Sequence, residues 1–453
     1  MPNPISRLSP AQILVGSFAV LILLGAAALW LPVMQGQGPV SFLDCLFTST
    51  SAVCVTGLIT VDTATAWSGW GQALIALLIQ AGGLGIMTFS MAMVYLAGKK
   101  PSVRSHLALR GALGPVPAPE IGALARDVVL YTLVIEAAAF AALWARFGQD
   151  MAWGAAAGVA AFHAVSAFCN AGFSTFGNNL ENYPADAAVN LVIMALIVLG
   201  GLGFVVLRES RAWLAAVLAR RPRRPRLSLH TRTVLITTAA LILAGILLLF
   251  TLEWLSNGGA AWRGSLWPLL FAAVTPRTAG FNTIPVADLS NGSLLITILL
   301  MFVGGSPGST AGGIKTTTLA TLAALARSRL HGHATVSLGR RDLPAAQVGE
   351  ATTLVLGSSL VVCLAVLFLV GLGGDLLGHD RGEVLSYAFE AVSAFGTVGL
   401  SMGITYDLRP QAKVILILLM FIGRLGPLTL IYLLAERYSP RRYQQAEERI
   451  MLG

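Results

Sequence analysis

Four times along this chain an apolar run of about 20 residues, the length that crosses a ~30 Å hydrocarbon layer, is followed by the same sequence of features. A shorter apolar segment comes next, then a glycine, a polar stretch and a second long apolar run. The first runs fall near 11–33, 123–147, 232–255 and 347–371, and the second near 68–97, 186–214, 293–327 and 409–436. Between them SFLDCLFTSTSAV, AAGVAAFHAVSAF, LWPLLFAAVT and VLSYAFEAVSAF are too short to cross. They suit half-helices that dip into the layer and return. The pattern predicts an all-α membrane protein of four tandem units, each a helix, a pore half-helix, a filter loop and a helix, set around a central pseudo-fourfold pore with eight transmembrane helices. The units divide as 1–110, 111–226, 227–342 and 343–436, with a C-terminal tail over 437–453.

Composition agrees with a membrane protein. Of 453 residues 56% are hydrophobic and 11% charged, and the mean hydropathy is +0.76, outside the range of soluble domains. The start of the chain, with Arg7 ahead of an apolar run, has the outline of a signal peptide. The run is long enough to span and no small-residue cleavage site follows, so it reads as a retained first helix. A net charge of +9 raises the question of a nucleic-acid partner, and the placement of the charge answers it. The basic residues gather in KKPSVRSHLALR (99–110), RESRAWLAAVLARRPRRPRLSLHTR (208–232), RSRLHGHATVSLGRR (327–341) and RYSPRR (437–442), all on one side of the eight crossings. That is the positive-inside pattern, with both termini cytosolic and anionic lipid, not nucleic acid, as the contact. Cys45, Cys54, Cys169 and Cys363 lack metal-ligand or CxxC spacing and read as small hydrophobes.

The candidate chemistry lies at the four glycines. SAVCVTGLI (51–59), SAFCNAGFS (166–174), AVTPRTAGFN (273–282) and SAFGTVGLS (393–401) align on Gly57, Gly172, Gly280 and Gly399, which are 115, 108 and 119 residues apart. Irregular backbone at membrane depth is tolerated only inside protein or along a wet cavity, so the four loops are expected to face one another. Glycine opens backbone conformations that let successive carbonyls point to one axis. The expected coordinating carbonyls are those of Val55, Thr56, Gly57 and Leu58; of Asn170, Ala171, Gly172 and Phe173; of Thr278, Ala279, Gly280 and Phe281; and of Thr397, Val398, Gly399 and Leu400. Carbonyls in place of a hydration shell favour a monovalent cation, as in the TVGYG filter of potassium channels. The half-helices would add the negative ends of their dipoles. Outside, eleven acids against six bases leave a net −5 that concentrates cations at the mouth. The acids are Asp44, Asp62, Asp150, Glu181, Asp186, Glu253, Asp288, Asp375, Asp380, Glu383 and Asp407; the bases are Arg146, Arg263, Arg277, Arg381, Arg409 and Lys413.

The second helix of the third unit is interrupted by GGSPGSTAGGIKTTT (304–318). It has the look of a Walker A loop, but Ile314 separates Gly313 from Lys315 and no strand precedes it, so phosphate binding is set aside. Gly304, Gly305, Ser306, Pro307, Gly308, Ser309, Thr310, Ala311, Gly312, Gly313 and Lys315 instead read as a movable constriction below the filter. AGGLG (81–85), GGLG (200–203) and GRLG (423–426) are milder marks at the equivalent place. Arg424, within an apolar run, is expected to act as an electrostatic barrier or to hold the gate loop through its carbonyls. His163 and Glu390 occupy equivalent places in two half-helices and read as scaffold hydrogen-bonders, and Glu136 is a lone intramembrane acid. No Ser-His-Asp set, paired carboxylates or HExxH suggests an enzyme.

The four glycine loops together with GGSPGSTAGGIKTTT resemble the Trk/Ktr/HKT superfamily of potassium transporters over nearly the whole chain. The first loop is reached by residue 51, without the two extra N-terminal helices usual in Trk-type subunits, and the tail reads EERIMLG (447–453). On both counts the chain is similar to the Ktr-type membrane subunit. The resemblance implies potassium uptake through a homodimer in the bacterial inner membrane. It also implies a cytosolic KtrA/TrkA-like ring that binds a nucleotide (ATP/ADP or NAD) and moves loop 304–318. K+ is then the transported ion, Na+ a promoter or second ion, and no organic cofactor is bound by this chain. Glycine at all four filter positions favours potassium over the sodium transport that goes with a first-filter serine in the HKT branch. The second glycine of TVGYG is replaced by Ile59, Ser174, Asn282 and Ser401, and the first threonine by Val55 and Asn170 in units one and two. That leaves a sodium-permeable or Na/K-cotransporting member as the alternative. A secondary transporter of small organic substrates would show two repeats, not four.

Overall fold

The computed structural model describes residues 10–96, 120–220, 225–258, 264–373 and 383–426. The basic stretches 99–110 and 437–442, the tail 437–453, the last part of the fourth unit's second helix, and Arg263, Asp375, Asp380 and Arg381 lie outside the described residues, as does the side chain of Glu383.

The regular structure of the described residues is helical apart from one short hairpin. Unit one holds α1 (Pro10–Leu29), α2 (Phe42–Val53) and α3 (Gly69–Leu96), and unit two holds α4 (Glu120–Phe147), α5 (Trp153–Cys169), α6 (Ala187–Leu202) and α7 (Phe204–Leu218). Unit three holds α8 (Leu229–Asn257), α9 (Trp267–Val274), α10 (Asn291–Phe302) and α11 (Thr316–Leu330). Unit four holds α12 (Ala345–Gly373), α13 (Glu383–Gly396) and α14 (Pro410–Leu425). Between α11 and α12 the hairpin pairs Ser337 with Asp342 and Leu338 with Arg341.

Helix starts follow local chemistry. The hydroxyls of Ser41, Ser228 and Ser290 and the carboxylate of Asp186 accept from backbone N–H groups two or three residues into α2, α8, α10 and α6, which satisfies donors that the helix leaves free. Among the described residues four helices, α1, α4, α8 and α12, are long and apolar enough to cross a membrane. Leu243 and Leu247 on α8, and Leu356 and Leu367 on α12, are exposed, as side chains facing lipid would be. Each of these long helices packs against the half-helix of its own unit. The half-helices are the buried layer: Phe47, Phe168, Phe271 and Phe395 are fully enclosed.

The second helices depart from the sequence expectation. The run over 186–214 is not one crossing helix, because α6 and α7 meet at Gly203 with a bend of 108°. Gly203 is left-handed at φ 88°, and a Cβ there would lie 2.7 Å from Pro307 O. The first N–H of α7, on Phe204, donates to Gly308 O at 3.1 Å. The loop of unit three therefore caps the break in unit two. The run over 293–327 divides into α10 and α11, as its glycines and proline require. In unit one, by contrast, AGGLG lies inside an unbroken α3. Its glycines, like Gly200 and Gly423, serve close approach. A Cβ at Gly82, Gly200 or Gly423 would fall onto the carbonyl of Val53, Phe168 or Phe395, near the end of the half-helix in the same unit. Second helix and half-helix thus touch backbone to backbone in three units.

Candidate functional site

Immediately after each half-helix the chain makes the same turn. The residue two before the glycine is left-handed in every unit: Val55 at φ 55°, Asn170 at 62°, Thr278 at 65° and Thr397 at 49°. The glycines follow at 94°, 70°, 75° and 92°. Three of the four non-glycine residues are β-branched, for which this region costs about 1–2 kcal/mol each. Such strain persists only where surroundings impose it. Here the half-helix imposes it: Thr56, Ala171, Ala279 and Val398 donate their N–H groups back to the carbonyls of Ser51, Ser166, Thr275 and Ser393, at 2.7 to 3.0 Å.

The four turns lie side by side in a closed cycle. A Cβ on Gly57 would strike Ala171 O, one on Gly172 would lie 2.7 Å from Ala279 O, one on Gly280 would strike Val398 O, and one on Gly399 would strike Thr56 O. Each glycine therefore abuts the residue before the glycine of the next unit, in the order one, two, three, four and back to one. Only hydrogen leaves room for that approach.

The cycle is not uniform in its bonding. In units one and four the half-helix serines accept, Ser51 Oγ from Gly57 N at 3.0 Å and Ser393 Oγ from Gly399 N at 3.1 Å. In units two and three the hydroxyls donate, Ser166 Oγ to Phe173 O at 2.7 Å and Thr275 Oγ1 to Phe281 O at 2.5 Å. The carbonyls of Phe173 and Phe281, expected from the sequence to coordinate an ion, are thereby engaged by their own half-helices. His163 and Glu390 brace the residue two past the glycine. His163 Nε2 lies 2.9 Å from Ser174 Oγ, while Glu390 accepts from Ser401 Oγ at 2.5 Å, Thr405 Oγ1 at 2.8 Å and Met402 N at 3.3 Å.

The interrupted helix of unit three lies against this cycle. Gly304 N donates to Ile314 O at 2.9 Å and closes residues 304–313 into a loop. A Cβ on Gly312 would strike Thr397 Oγ1, and one on Gly304 would lie 3.1 Å from Thr278 Cγ2, so the loop touches two of the four turns. Unit two holds its near side, with Ser306 N donating to Gly201 O at 3.0 Å and Thr310 Oγ1 to Gly200 O at 3.1 Å. Two cations bind its carbonyls. Lys315 Nζ donates to Ala311 O at 2.6 Å, and Arg424, fully buried in the last turn of α14, donates through Nη1 to Thr310 O and through Nη2 to Gly82 O at 2.6 Å. Pro307, Gly308 and Ser309 form the turn that caps α7.

Some contacts were not legible in the sequence. Glu136 has a partner after all, Gln80 Nε2 of α3 at 3.2 Å, and Gln80 Oε1 in turn accepts from Cys169 Sγ at 3.4 Å. Among the charges expected outside, Asp44 pairs with Lys413 at 2.7 Å, and Arg146 with Asp186 at 2.6 Å and Asp150 at 2.8 Å. Burial raises Glu181 above the usual carboxylate range, against the Asn282 Nδ2 that donates to it at 2.6 Å. The acids expected outside are therefore less free than their count suggests. Asn179, absent from the expected set, lies 3.5 Å through Nδ2 from the carbonyls of two of the four glycines, Gly172 and Gly280. No group of His, Cys, Asp and Glu among the described residues is arranged to hold a metal ion.

Residues 4–441 match the profile of the TrkH family, described as a cation transport protein. The Ktr system potassium uptake protein B of Bacillus subtilis (strain 168) is 38% identical over 97% of this chain and 96% of its own. The potassium/sodium uptake protein NtpJ of Enterococcus hirae is 37% identical over 99% of this chain and 98% of its own. Among solved structures, the potassium transporter TrkH from Vibrio parahaemolyticus superimposes with a TM-score of 0.73 at 23% identity, over 94% of this chain and 85% of that one, and so shares its fold.

Proposed function

The chain belongs to the TrkH family of cation transport proteins, and from that premise we propose that it takes up potassium across a bacterial cytoplasmic membrane through a pore lined by its four glycine turns. The observation that carries this reading is the closed cycle of glycine-to-carbonyl contacts. Four backbone segments that alternate left-handed residues around one centre present oxygens to it from four sides. A potassium ion entering from outside exchanges water for these carbonyls. The coordinating groups are the carbonyls of Val55, Thr56, Gly57 and Leu58, Asn170 to Gly172, Thr278 to Gly280, and Thr397 to Leu400; those of Phe173 and Phe281 drop out. The half-helices end at Val53, Cys169, Val274 and Gly396, directly before the turns, so their partial negative charges fall at the same place.

Below the filter, loop 304–318 closes the path and Arg424 is its latch. A hydrogen bond to a charged donor is worth about 1.5–3 kcal/mol net. The bonds from Arg424, which tie the loop to α14 and α3, therefore hold the closed state by a few kcal/mol, while Lys315 braces the loop from within, and two cations beside the path repel a third. The chain alone opens as a minor state that carries a basal flux, and a partner that binds the open state better by a comparable amount raises that fraction. The cytosolic nucleotide-binding ring of the KtrA/TrkA kind, acting on a homodimer with both termini cytosolic and eight crossings per chain, fits that requirement.

Purified protein in liposomes tests the proposal. Rubidium uptake should be inhibited by K+ at lower concentration than by Na+ and be unaffected by amino acids or sugars. A flux driven by an organic solute would overturn it. A sodium-permeable pore is the second reading, favoured by Ile59, Ser174, Asn282 and Ser401 in place of the outer filter glycine. Equal inhibition by the two ions would select it.

A further inference from the structure

The amide of Asn179 sits where two walls of the cycle meet. Its Nδ2 is 3.5 Å from Gly172 O and 3.5 Å from Gly280 O, the carbonyls of two of the four filter glycines, in neighbouring units. Both neighbours are acceptors, so the NH2 and not the oxygen must face them. The Oδ1 on the other side is buried and has no hydrogen-bond partner among the described residues.

The position of this amide is built. Asn179 is left-handed, at φ 56°, and its N–H donates to Phe176 O at 3.2 Å to close a tight turn. Ser174 anchors that turn: its Oγ accepts from Phe176 N at 3.0 Å, lies 3.4 Å from Asn179 O, and is held from behind by His163 Nε2. One residue on, Leu180 N donates to Asn282 O at 3.1 Å and ties the turn to unit three. Seven residues past the glycine, the other units carry Ala64, Ala287 and Tyr406, none of which bears an amide. The arrangement exists once in the cycle.

We propose that Asn179 sets the ion preference of the outer end of the filter by occupying the glycine carbonyls of units two and three, which leaves those of units one and four to the ion. This rests on the filter reading above. A carbonyl that accepts from an amide has less of its electron density to offer a cation. At 3.5 Å the amide leaves each carbonyl a lone pair but sets a partial positive charge beside it, so two of the four oxygens are weaker ligands and water stays on the ion at this level. Retained water narrows the difference between the smaller, more strongly hydrated Na+ and K+. Asn179 is then a specificity-determining residue that holds the outer site short of strict potassium selectivity.

The full chain in liposomes tests this by rubidium uptake, with the inhibition constants of Na+ and K+ measured for each variant. Their ratio does not depend on how much protein is active, so a merely structural loss would not move it. Asn179→Ala and Asn179→Leu, the second close to asparagine in shape and without a donor, should each raise the Na+ to K+ ratio at least threefold. Ser174→Ala, which loosens the turn without touching the carbonyls, should move it the same way. Gly399→Ser serves as the control for the filter. If it changes the ratio while both Asn179 variants leave it within twofold, the role of Asn179 is overturned and the filter stands. If no variant changes the ratio, the filter reading has failed and this proposal with it. Failure of Asn179→Leu to give monodisperse protein would make Asn179 a structural part of the turn and overturn the proposal as well.

Discussion

A hydrogen atom at each of Gly57, Gly172, Gly280 and Gly399 occupies space that a methyl group cannot share with the neighbouring carbonyl. Gly57→Ala and Gly399→Ser combine that overlap with a left-handed φ that costs a side-chain-bearing residue about 1–2 kcal/mol. Either variant should lower the preference for K+ over Na+ in rubidium uptake about tenfold or more. Unchanged preference with full activity would separate the cycle from ion selection. Glu390 makes a second residue-scale case. It accepts from two hydroxyls and one N–H, and Glu390→Ala would take the carboxylate from the buried Thr405 hydroxyl at about 1–3 kcal/mol, with a smaller loss at the half-buried Ser401 and Met402. Glu390→Ala should lower the melting temperature of the purified protein measurably, with Glu390→Gln, which keeps one oxygen, falling between it and the parent chain. The glycines were legible because only one residue type serves there. Asn179 and Gln80 were not: an amide in a polar loop and another in an apolar helix look ordinary until folding sets them against Gly172 and Glu136, 7 and 56 residues away.

At the level of elements, the broken helix of unit three and the bent helix of unit two form one device, since each caps the other. Gly203→Ala would drive a Cβ at Pro307 O and strain a left-handed position, and so should loosen the loop from α7. Arg424→Ala removes the bonds to Thr310 and Gly82 from the other side. Both variants should raise rubidium flux several-fold in the absence of any cytosolic partner; a fall in flux with the protein still folded would show that the loop supports the open path. The length of the apolar runs gave the first helices to within a few residues because each is a long stretch with lipid on one face and protein on the other. The second helices were harder for a physical reason. Glycine marks AGGLG, GGLG and GRLG look alike in the sequence, yet only the stretch in unit two carries a bend between two described helices. Its Gly203 has another unit's loop to receive the freed N–H of the next residue, whereas Gly82 and Gly423 serve contact with their own half-helix.

For the whole molecule, the placement of the two faces is open to direct labelling. Asn182, on the turn beside α6, and His333, before the hairpin, are both exposed and belong to opposite sides under the proposed topology. In a chain with Cys45, Cys54, Cys169 and Cys363 replaced by serine, Asn182→Cys should react with a membrane-impermeant maleimide on intact cells. His333→Cys should react only after permeabilisation. The reverse labelling would invert the protein in its membrane and place the basic stretches outside.

The cycle of four turns has one further consequence. A ring assembled from identical subunits changes at every quadrant when one codon changes, so it can be tuned only in steps of four. Here the quadrants are separate stretches of one gene, already divergent two residues past each glycine and in the direction of the hydroxyl bonds beneath. A mutation can therefore reshape a single quadrant while three keep their geometry, and ion preference is free to drift by increments closed to a tetramer.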